Sequence, residues 1–180
     1  MIMKNNIYSL FVRLMERRLW RYCRRHFNSK LGSEHGPLHW KRVWAFGDIL
    51  CDQFPRHDRL VVHAFACLHD LMRKDNLDDP EHGPRAAALV RRIRYTYLLY
   101  LNDAEVDCLA RACQLHTSAS STPDTLVNIC LDADRMDLPR CGIVPDPERM
   151  ASLEGIAIVS REDYIDAVWK CINQLVHEKN

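Results

Sequence analysis

Apolar residues recur every three or four positions along most of this 180-residue chain. That spacing puts them on one face of an α-helix and is not the alternation of a half-buried strand. No β-α-β rhythm and no alternating run rich in Val and Ile is present. The sequence therefore predicts a single all-α domain whose longest loop spans residues 142–149. Residues that favour helix N-termini lead us to expect helices beginning near Ser33, Asp58, Asp79, Asn102, Thr122 and Ser160.

The composition is that of an ordinary globular protein, with 47% apolar and 27% charged residues. Eight cysteines are present, but no Cys-x-x-Cys pair occurs and most of the cysteines fall on apolar helical faces. We find no segment typical of a secretory signal and no run of about 18 apolar residues. The sequence predicts reduced core cysteines in a cytoplasmic protein.

The N-terminal segment, residues 1–30, carries eight Lys or Arg and one acidic residue, whereas the remaining residues sum to −6. We interpret this segment as a basic amphipathic helix and residues 31–180 as the helical domain. The apolar face that we expect consists of Ile7, Leu10, Phe11 and Leu14. The basic face is either solvated on a helix packed against the domain, or it contacts an anionic substrate, a nucleic acid, a membrane surface or another anionic partner.

A His-Asp pair, His69-Asp70, ends the apolar helical run from Leu60 to Leu71. We expect the pair inside a helix and near its buried face. Burial without a partner would be costly for such polar groups, and a metal ion shared with other helices would offset that cost. A second pair, His57-Asp58, precedes the run, and Asp58 there is interpreted as a helix cap.

Further His and Asp residues flank this pair: His39 four residues before Val43, His82 in the segment Asp79–Ala87, His116 at the end of the segment Leu109–His116, and Asp134 within Ala-Asp-Arg. Their order resembles that of the HD-domain superfamily of metal-dependent phosphohydrolases. The resemblance covers about residues 33–145 and implies an HD-like helical bundle. The implied metal ligands are His39, His69, Asp70, His82, His116 and Asp134.

The resemblance implies one ion bound by four of these residues and a second ion bound by His82 and His116, with Asp70 bridging. A structural interpretation of His82 and His116, as residues at a helix start and a helix end, stays open. His35 lies one turn before His39, and a role for it in the site is also open. Asp132 and Asp137 are interpreted as structural.

Imidazole and carboxylate ligands without thiolate suit one or two divalent ions of Mn, Fe, Co, Ni, Zn or Mg. Such a centre favours hydrolysis of a phosphate ester or anhydride by a metal-activated hydroxide, and the resemblance points to a nucleotide. The expected catalytic residues are Asp70, His69 and Arg73. The other cationic side chains that flank ligand positions are Lys74, Arg135 and Arg140. The alternatives are a di-iron HD-type oxygenase and a non-catalytic binding module that a metal stabilises.

Overall fold

The computed structural model describes residues 2–52, 56–161 and 164–178, with side chains described for 8–52, 58–161 and 167–177. Within these ranges the chain forms eight α-helices and no β-strand, which confirms the all-α prediction. None of the described helices is both long and apolar enough to cross a membrane. The helices are α1 (Ile2–His26), α2 (Pro37–Leu50), α3 (Arg56–Leu68), α4 (His82–Tyr97), α5 (Asp103–Leu115), α6 (Thr125–Arg135), α7 (Leu153–Val159) and α8 (Tyr164–Glu178).

Helix α3 is the centre of the fold and packs against α1, α2, α5 and α6. Its apolar side chains, among them Val61, Phe65 and Leu68, are fully buried. Because α3 is surrounded in this way, the turn that follows it is also enclosed by other helices. All eight cysteines are unpaired and six of them are buried, as expected for core cysteines.

Helix α1 packs against α3 and α4 with a different face from the predicted one. Its buried side chains are Val12, Met15, Leu19 and Cys23, which share one helical face. Leu10, Phe11 and Leu14 are exposed, and the side chain of Ile7 lies outside the described residues. The prediction of that apolar face was wrong because α1 carries two apolar faces, and the tertiary contacts select the second one.

One predicted helix start is confirmed in full. Asn102 accepts a hydrogen bond from the backbone N–H of Glu105 (3.0 Å), and the Glu105 carboxylate accepts one from the backbone N–H of Asn102 (2.6 Å). This reciprocal pair satisfies two N–H groups that have no partner within the helix.

Other helices begin a few residues away from the predicted caps, and at Asp79 the side chain bonds to neighbouring segments instead of capping the helix. The Asp79 carboxylate accepts from the backbone N–H of Lys74 and from Arg85. Ser160 ends α7, a short helix that was not predicted, and Asp163, expected with Ser160 at the start of the last helix, lies outside the described residues. The observed starts are Gly36 as the cap of α2, Arg56 as the first residue of α3, His82 as the first residue of α4, Asp124 as the cap of α6, and Tyr164 as the first residue of α8.

The predicted loop at residues 142–149 is shorter and more ordered than expected. A 3₁₀ turn at Leu138–Cys141 ends at Gly142 in the left-handed region (φ 73°), and a second 3₁₀ turn spans Pro147–Arg149. Beyond it, the buried Asp132 carboxylate accepts hydrogen bonds from the backbone N–H groups of Ala151 and Ser152. Asp132 is thus structural, as predicted, and ties the end of this segment to α6.

Candidate metal centre

The six implied ligands lie together in one cluster at the ends and edges of five helices. The turn after α3 carries the central His-Asp pair, and every other member comes from a different helix. Five members are buried and Asp134 is partly exposed. Within three overlapping groups, one potential ligand atom from each residue lies within 4.8 Å of the others. The six residues are His39 on α2, His69 and Asp70 after α3, His82 at the start of α4, His116 at the end of α5 and Asp134 on α6.

The His69-Asp70 pair lies just beyond α3 and not inside it, because α3 ends at Leu68. The backbone N–H of His69 still donates to the carbonyl of Phe65 (3.0 Å), so the helical path continues for one residue. The chain then turns, and both side chains face the same cluster.

The two carboxylate oxygens of Asp70 face two different pairs of histidines. Oδ2 lies 3.6 Å from Nε2 of His69 and 3.8 Å from Nε2 of His39. Oδ1 lies 3.2 Å from Nε2 of His82 and 3.6 Å from Nε2 of His116. A carboxylate that bridges two cations presents one oxygen to each in this way.

Asp134 completes the first of these two groups. Its Oδ1 lies 3.3 Å from Nε2 of His39 and 3.7 Å from Nε2 of His69. This oxygen is buried and accepts no hydrogen bond. An ionised carboxylate oxygen in that state is costly unless a cation faces it.

Each of the four histidines among the implied ligands is held in place by a hydrogen bond at its Nδ1 atom. His39 donates to the Asp137 carboxylate (2.7 Å) and His69 to the carbonyl of Phe65 (3.1 Å). His82 donates to the carbonyl of Asp79 (2.5 Å) and His116 to that of Cys113 (2.8 Å). Carbonyl and ionised carboxylate oxygens only accept, so Nδ1 carries the proton in each ring and a neutral ring has its lone pair on Nε2.

These Nε2 atoms converge in two pairs. Those of His39 and His69 are 3.0 Å apart, and those of His82 and His116 are 2.8 Å apart. Two lone pairs at such distances repel each other unless a proton or a cation lies between them. The cluster is therefore built to hold positive charge at two neighbouring points, one beside each oxygen of Asp70.

The pKa values of these groups reflect their burial and the opposite charges around them. Burial alone would raise the pKa of Asp70, but its closeness to His69 and its contacts with His116, His35 and His82 hold it well below its usual value. Burial, the largest effect on His69, lowers its pKa to about 4, so that ring is neutral near pH 7. Burial would also lower the pKa of His39 and His116, but the carboxylates beside them, Asp134 and Asp137 for His39 and Asp70 for His116, outweigh it and raise both values. Protons and metal ions therefore compete for the same nitrogens.

Asp137 orients His39 and has a larger role than the sequence indicated. Besides the Nδ1–H of His39, its carboxylate accepts from Nε of Arg42 (2.6 Å) and from the indole N–H of Trp169 (2.8 Å). A carboxylate behind a ligand histidine fixes the tautomer and increases the basicity of the ring. The spacing of Asp137 from Asp134 gave no indication of this role.

Gly83 allows α4 to begin directly against the end of α5. A Cβ at this position would lie 2.7 Å from the carbonyl oxygen of Cys113 and 2.9 Å from that of Gln114. No side chain fits there, so the glycine lets His82 approach His116. The sequence segment that contains His82 includes this glycine, but only the structure reveals why it is needed.

His35, whose role was left open, also reaches the cluster. Its Nδ1 lies 2.7 Å from Oδ2 of Asp70, and its side chain is partly exposed. Its carbonyl accepts a hydrogen bond from the indole N–H of Trp40 (2.8 Å), which fixes this short segment before α2. His35 therefore stands at the solvent side of the centre.

The cationic side chains near the centre differ in how many of their donors are already used. Arg73 donates to the carbonyls of Asp75 (3.0 Å) and Leu77 (2.8 Å), and its Nη1 lies 3.3 Å from Nδ1 of His82. Arg135 donates to the carbonyls of Ala119, Ser120 and Arg149, which gives it a structural role. Lys74 is exposed, and its backbone, not its side chain, makes the described contacts.

Arg140 is the cationic side chain nearest to Asp134 among these four. Its Nη2 lies 3.7 Å from Oδ1 of Asp134, and its Nη1 lies 3.9 Å from Oδ2 of Asp137. Its Nε donates to the carbonyl of Glu34 (2.8 Å), whereas Nη1 is buried and donates no hydrogen bond.

Comparisons of the chain with protein-family models, with curated proteins and with solved structures give no match. The structure by itself shows an all-α fold in the described residues and a buried cluster of His and Asp residues that could hold a metal ion.

Proposed function

We propose that this chain is a metal-dependent phosphohydrolase that cleaves a phosphate ester or anhydride. The observation that carries the proposal is the division of the Asp70 carboxylate between two pairs of inward-facing Nε2 atoms. Two metal ions that share one carboxylate would bind a substrate that carries several anionic oxygens on one atom. A phosphoryl group is such a substrate.

The residues fit divalent metal ions on three counts. The Nε2 lone pairs are convergent, one Asp134 oxygen has no hydrogen bond, and Asp137 orients His39 from behind. Imidazole with carboxylate oxygen suits Mn, Fe, Co, Ni, Zn or Mg. We infer that His39, His69, Asp70 and Asp134 hold one ion, and that His82, His116 and Asp70 hold a second.

Bound divalent ions supply Lewis acidity and lower the pKa of water enough to make a nucleophile at neutral pH. The chain's own residues supply position and charge. Asp70 and Asp134 are ionised near pH 7 because their pKa values are held low. The burial of His39, His69, His82 and His116 excludes bulk water from the inner side of the centre, which strengthens every charge interaction there. That the substrate is a nucleotide follows from the family resemblance alone and is part of the proposal.

The proposal is tested first by elemental analysis of protein purified without added metal. The same protein is then assayed for release of phosphate or pyrophosphate from a panel of nucleotides and phosphate esters. We expect EDTA to abolish hydrolysis, and Mn²⁺, Co²⁺ or another divalent ion to restore it. His69→Ala is expected to be inactive while its circular dichroism stays that of a helical protein. Arg91→Gln, on the exposed face of α4, is the matched surface control.

Two other outcomes would replace the proposal. O₂ consumption by the iron-loaded protein, without phosphate release from any substrate with any divalent ion, would indicate a di-iron oxygenase. Bound metal with neither activity would indicate a binding module that the metal stabilises.

A further inference from the structure

The exposed side chains of the Asp134 half of the centre belong to Asp134, His35 and Arg140, and Arg73 is partly exposed beside His82 in the other half. The side chains of His39 and His69 are 0% exposed, those of His82 and His116 are 2% exposed, and that of Asp70 is 5% exposed. Those of Asp134, His35 and Arg140 are 17%, 12% and 10% exposed. A reactant that enters the Asp134 half therefore passes Asp134, His35 and Arg140, and the more deeply buried side chains lie behind them.

Arg140 is held at this opening with part of its donor capacity unused. Its Nε–H is fixed by the carbonyl of Glu34, so the guanidinium plane cannot swing freely. Its separations from Asp134 and Asp137, 3.7 Å and 3.9 Å, are ion-pair distances and too long for hydrogen bonds. The buried Nη1 donates to no acceptor, and a buried N–H left in that state costs about 1–3 kcal/mol. An anionic ligand would remove that cost.

Arg140 also borders a small cavity beside the centre. The cavity measures about 180 Å³, below the roughly 300 Å³ at which pockets for drug-sized ligands begin. Arg42 and Trp169 line it together with Arg140, so its wall carries two guanidinium groups. Glu34 lines the same wall and the guanidinium of Arg42 is paired with Asp137, so the positive charge that a compact group would meet here comes mainly from Arg140.

We propose that Arg140 binds the terminal phosphate of a phosphomonoester at this opening and so makes the centre select monoesters over diesters. The inference rests on the proposed function and adds the form of the substrate. A terminal phosphate carries about −1.5 to −2 charges near neutral pH and three free oxygens. Two N–H groups of a fixed guanidinium match two of those oxygens.

A diester suits the same contacts less well. Its phosphorus carries two organic substituents and leaves two free oxygens, one fewer than a terminal phosphate offers to the centre and to Arg140. It also carries a single negative charge, so it gains less from Arg140. The other arginines near the centre are less suited to this role because carbonyl oxygens already take donors of both Arg73 and Arg135.

The test measures phosphate binding and substrate choice together. Inorganic phosphate is titrated by calorimetry into wild-type, Arg140→Gln and Arg140→Lys proteins at equal measured metal content, with Arg91→Gln as the surface control. Hydrolysis of p-nitrophenyl phosphate and of bis(p-nitrophenyl) phosphate is followed in the same four proteins.

We expect the dissociation constant for phosphate to rise roughly 10- to 100-fold in Arg140→Gln, as for loss of a hydrogen bond to a charged group. The rise in Arg140→Lys should be smaller, because the charge stays and the planar pair of donors is lost. The kcat/KM for the monoester should fall in parallel with phosphate affinity, while that for the diester changes less than threefold. Arg91→Gln should match the wild type.

Unchanged phosphate affinity in both Arg140 variants would overturn the assignment of Arg140, even where the wild type hydrolyses phosphate esters. Faster hydrolysis of the diester than of the monoester by the wild type would overturn the selectivity. Absence of hydrolysis in the wild type would contradict the proposed function, and the calorimetry would still decide whether Arg140 binds phosphate. If Arg140→Gln fails to fold or to retain metal, the Lys variant decides the question.

Discussion

Two clusters of histidine with carboxylates lie in the part of the chain that the structure describes, and they differ in where the ring nitrogens point. In the candidate metal centre, each ring is fixed from outside through Nδ1 and directs Nε2 inward. At His63, on α3, both nitrogens are taken by carboxylates. Nδ1 lies 2.9 Å from Glu16 of α1, and Nε2 lies 2.8 Å from Asp48 of α2. The ring also stacks on Trp44, with centroids 3.8 Å apart.

The difference shows that burial and carboxylate neighbours do not by themselves make a metal site. Burial alone would lower the pKa of His63, but hydrogen bonds to Asp48 and Glu16 outweigh it and raise the pKa. A ring protonated on both nitrogens has no lone pair to offer. His63 thus joins three helices through charge, whereas the six-residue centre keeps lone pairs directed at shared points.

Replacement of Asp70 with Ala should give the largest contrast between the two clusters. Because its two oxygens face both histidine pairs, the variant should lose both metal ions, and elemental analysis is expected to find little metal. Asp48→Ala removes a carboxylate from the His63 cluster and should retain the wild-type metal content. Equal metal in wild-type and Asp70→Ala proteins would falsify the bridging role.

Gly83→Ala should affect only one half of the centre. The added Cβ would meet the backbone of α5, which forces α4 away and separates His82 from His116. We expect metal content to fall to about half that of the wild type, since the ion at His39 and His69 remains. Full metal content with unchanged thermal stability would contradict this function for Gly83.

Asp137→Asn should weaken the binding of the ion at His39 and His69, although the substitution removes no metal ligand. Loss of the charge behind His39 makes its ring a poorer donor, and such changes typically lower metal affinity by about 10- to 100-fold. Competition with a chromophoric chelator measures this. If the affinity of the variant equals that of the wild type, Asp137 serves only the structure around Arg42 and Trp169.

His63→Gln should leave metal content unchanged and lower stability in a pH-dependent way. Because the folded-state pKa of His63 is raised above its unfolded value near 6.5, its contribution is fully present below pH 6.5. It is lost as pH rises through the folded-state pKa. We expect a loss of about 1–2 kcal/mol in the free energy of unfolding at pH 6 and less at pH 9, measured by urea denaturation. A loss of equal size at both pH values would contradict a charged His63.

The sequence predicted the helical class and, through the order of His and Asp residues, a group that the structure brings together. Periodicity and residue order suffice for both, since each depends on positions along the chain. It did not separate the two apolar faces of α1, because packing against α3 and α4 decides between them. It also did not place every helix start, because side chains such as Asp79 bond elsewhere instead of capping. His63, Asp137 and Gly83 were also missed as contributors to these clusters, since their partners lie on other helices.

The placement of His69, His82 and His116 at helix ends has a consequence for the order of folding. Helix ends are the parts of a helix that fray first, and the centre joins them with residues as far apart as His39 and Asp137. Because closing such a long loop is entropically costly, we expect contacts across this separation to form late, after the helices have docked. A metal ion bound there would slow unfolding and leave the folding rate nearly unchanged, so its main effect would be on the lifetime of the native state.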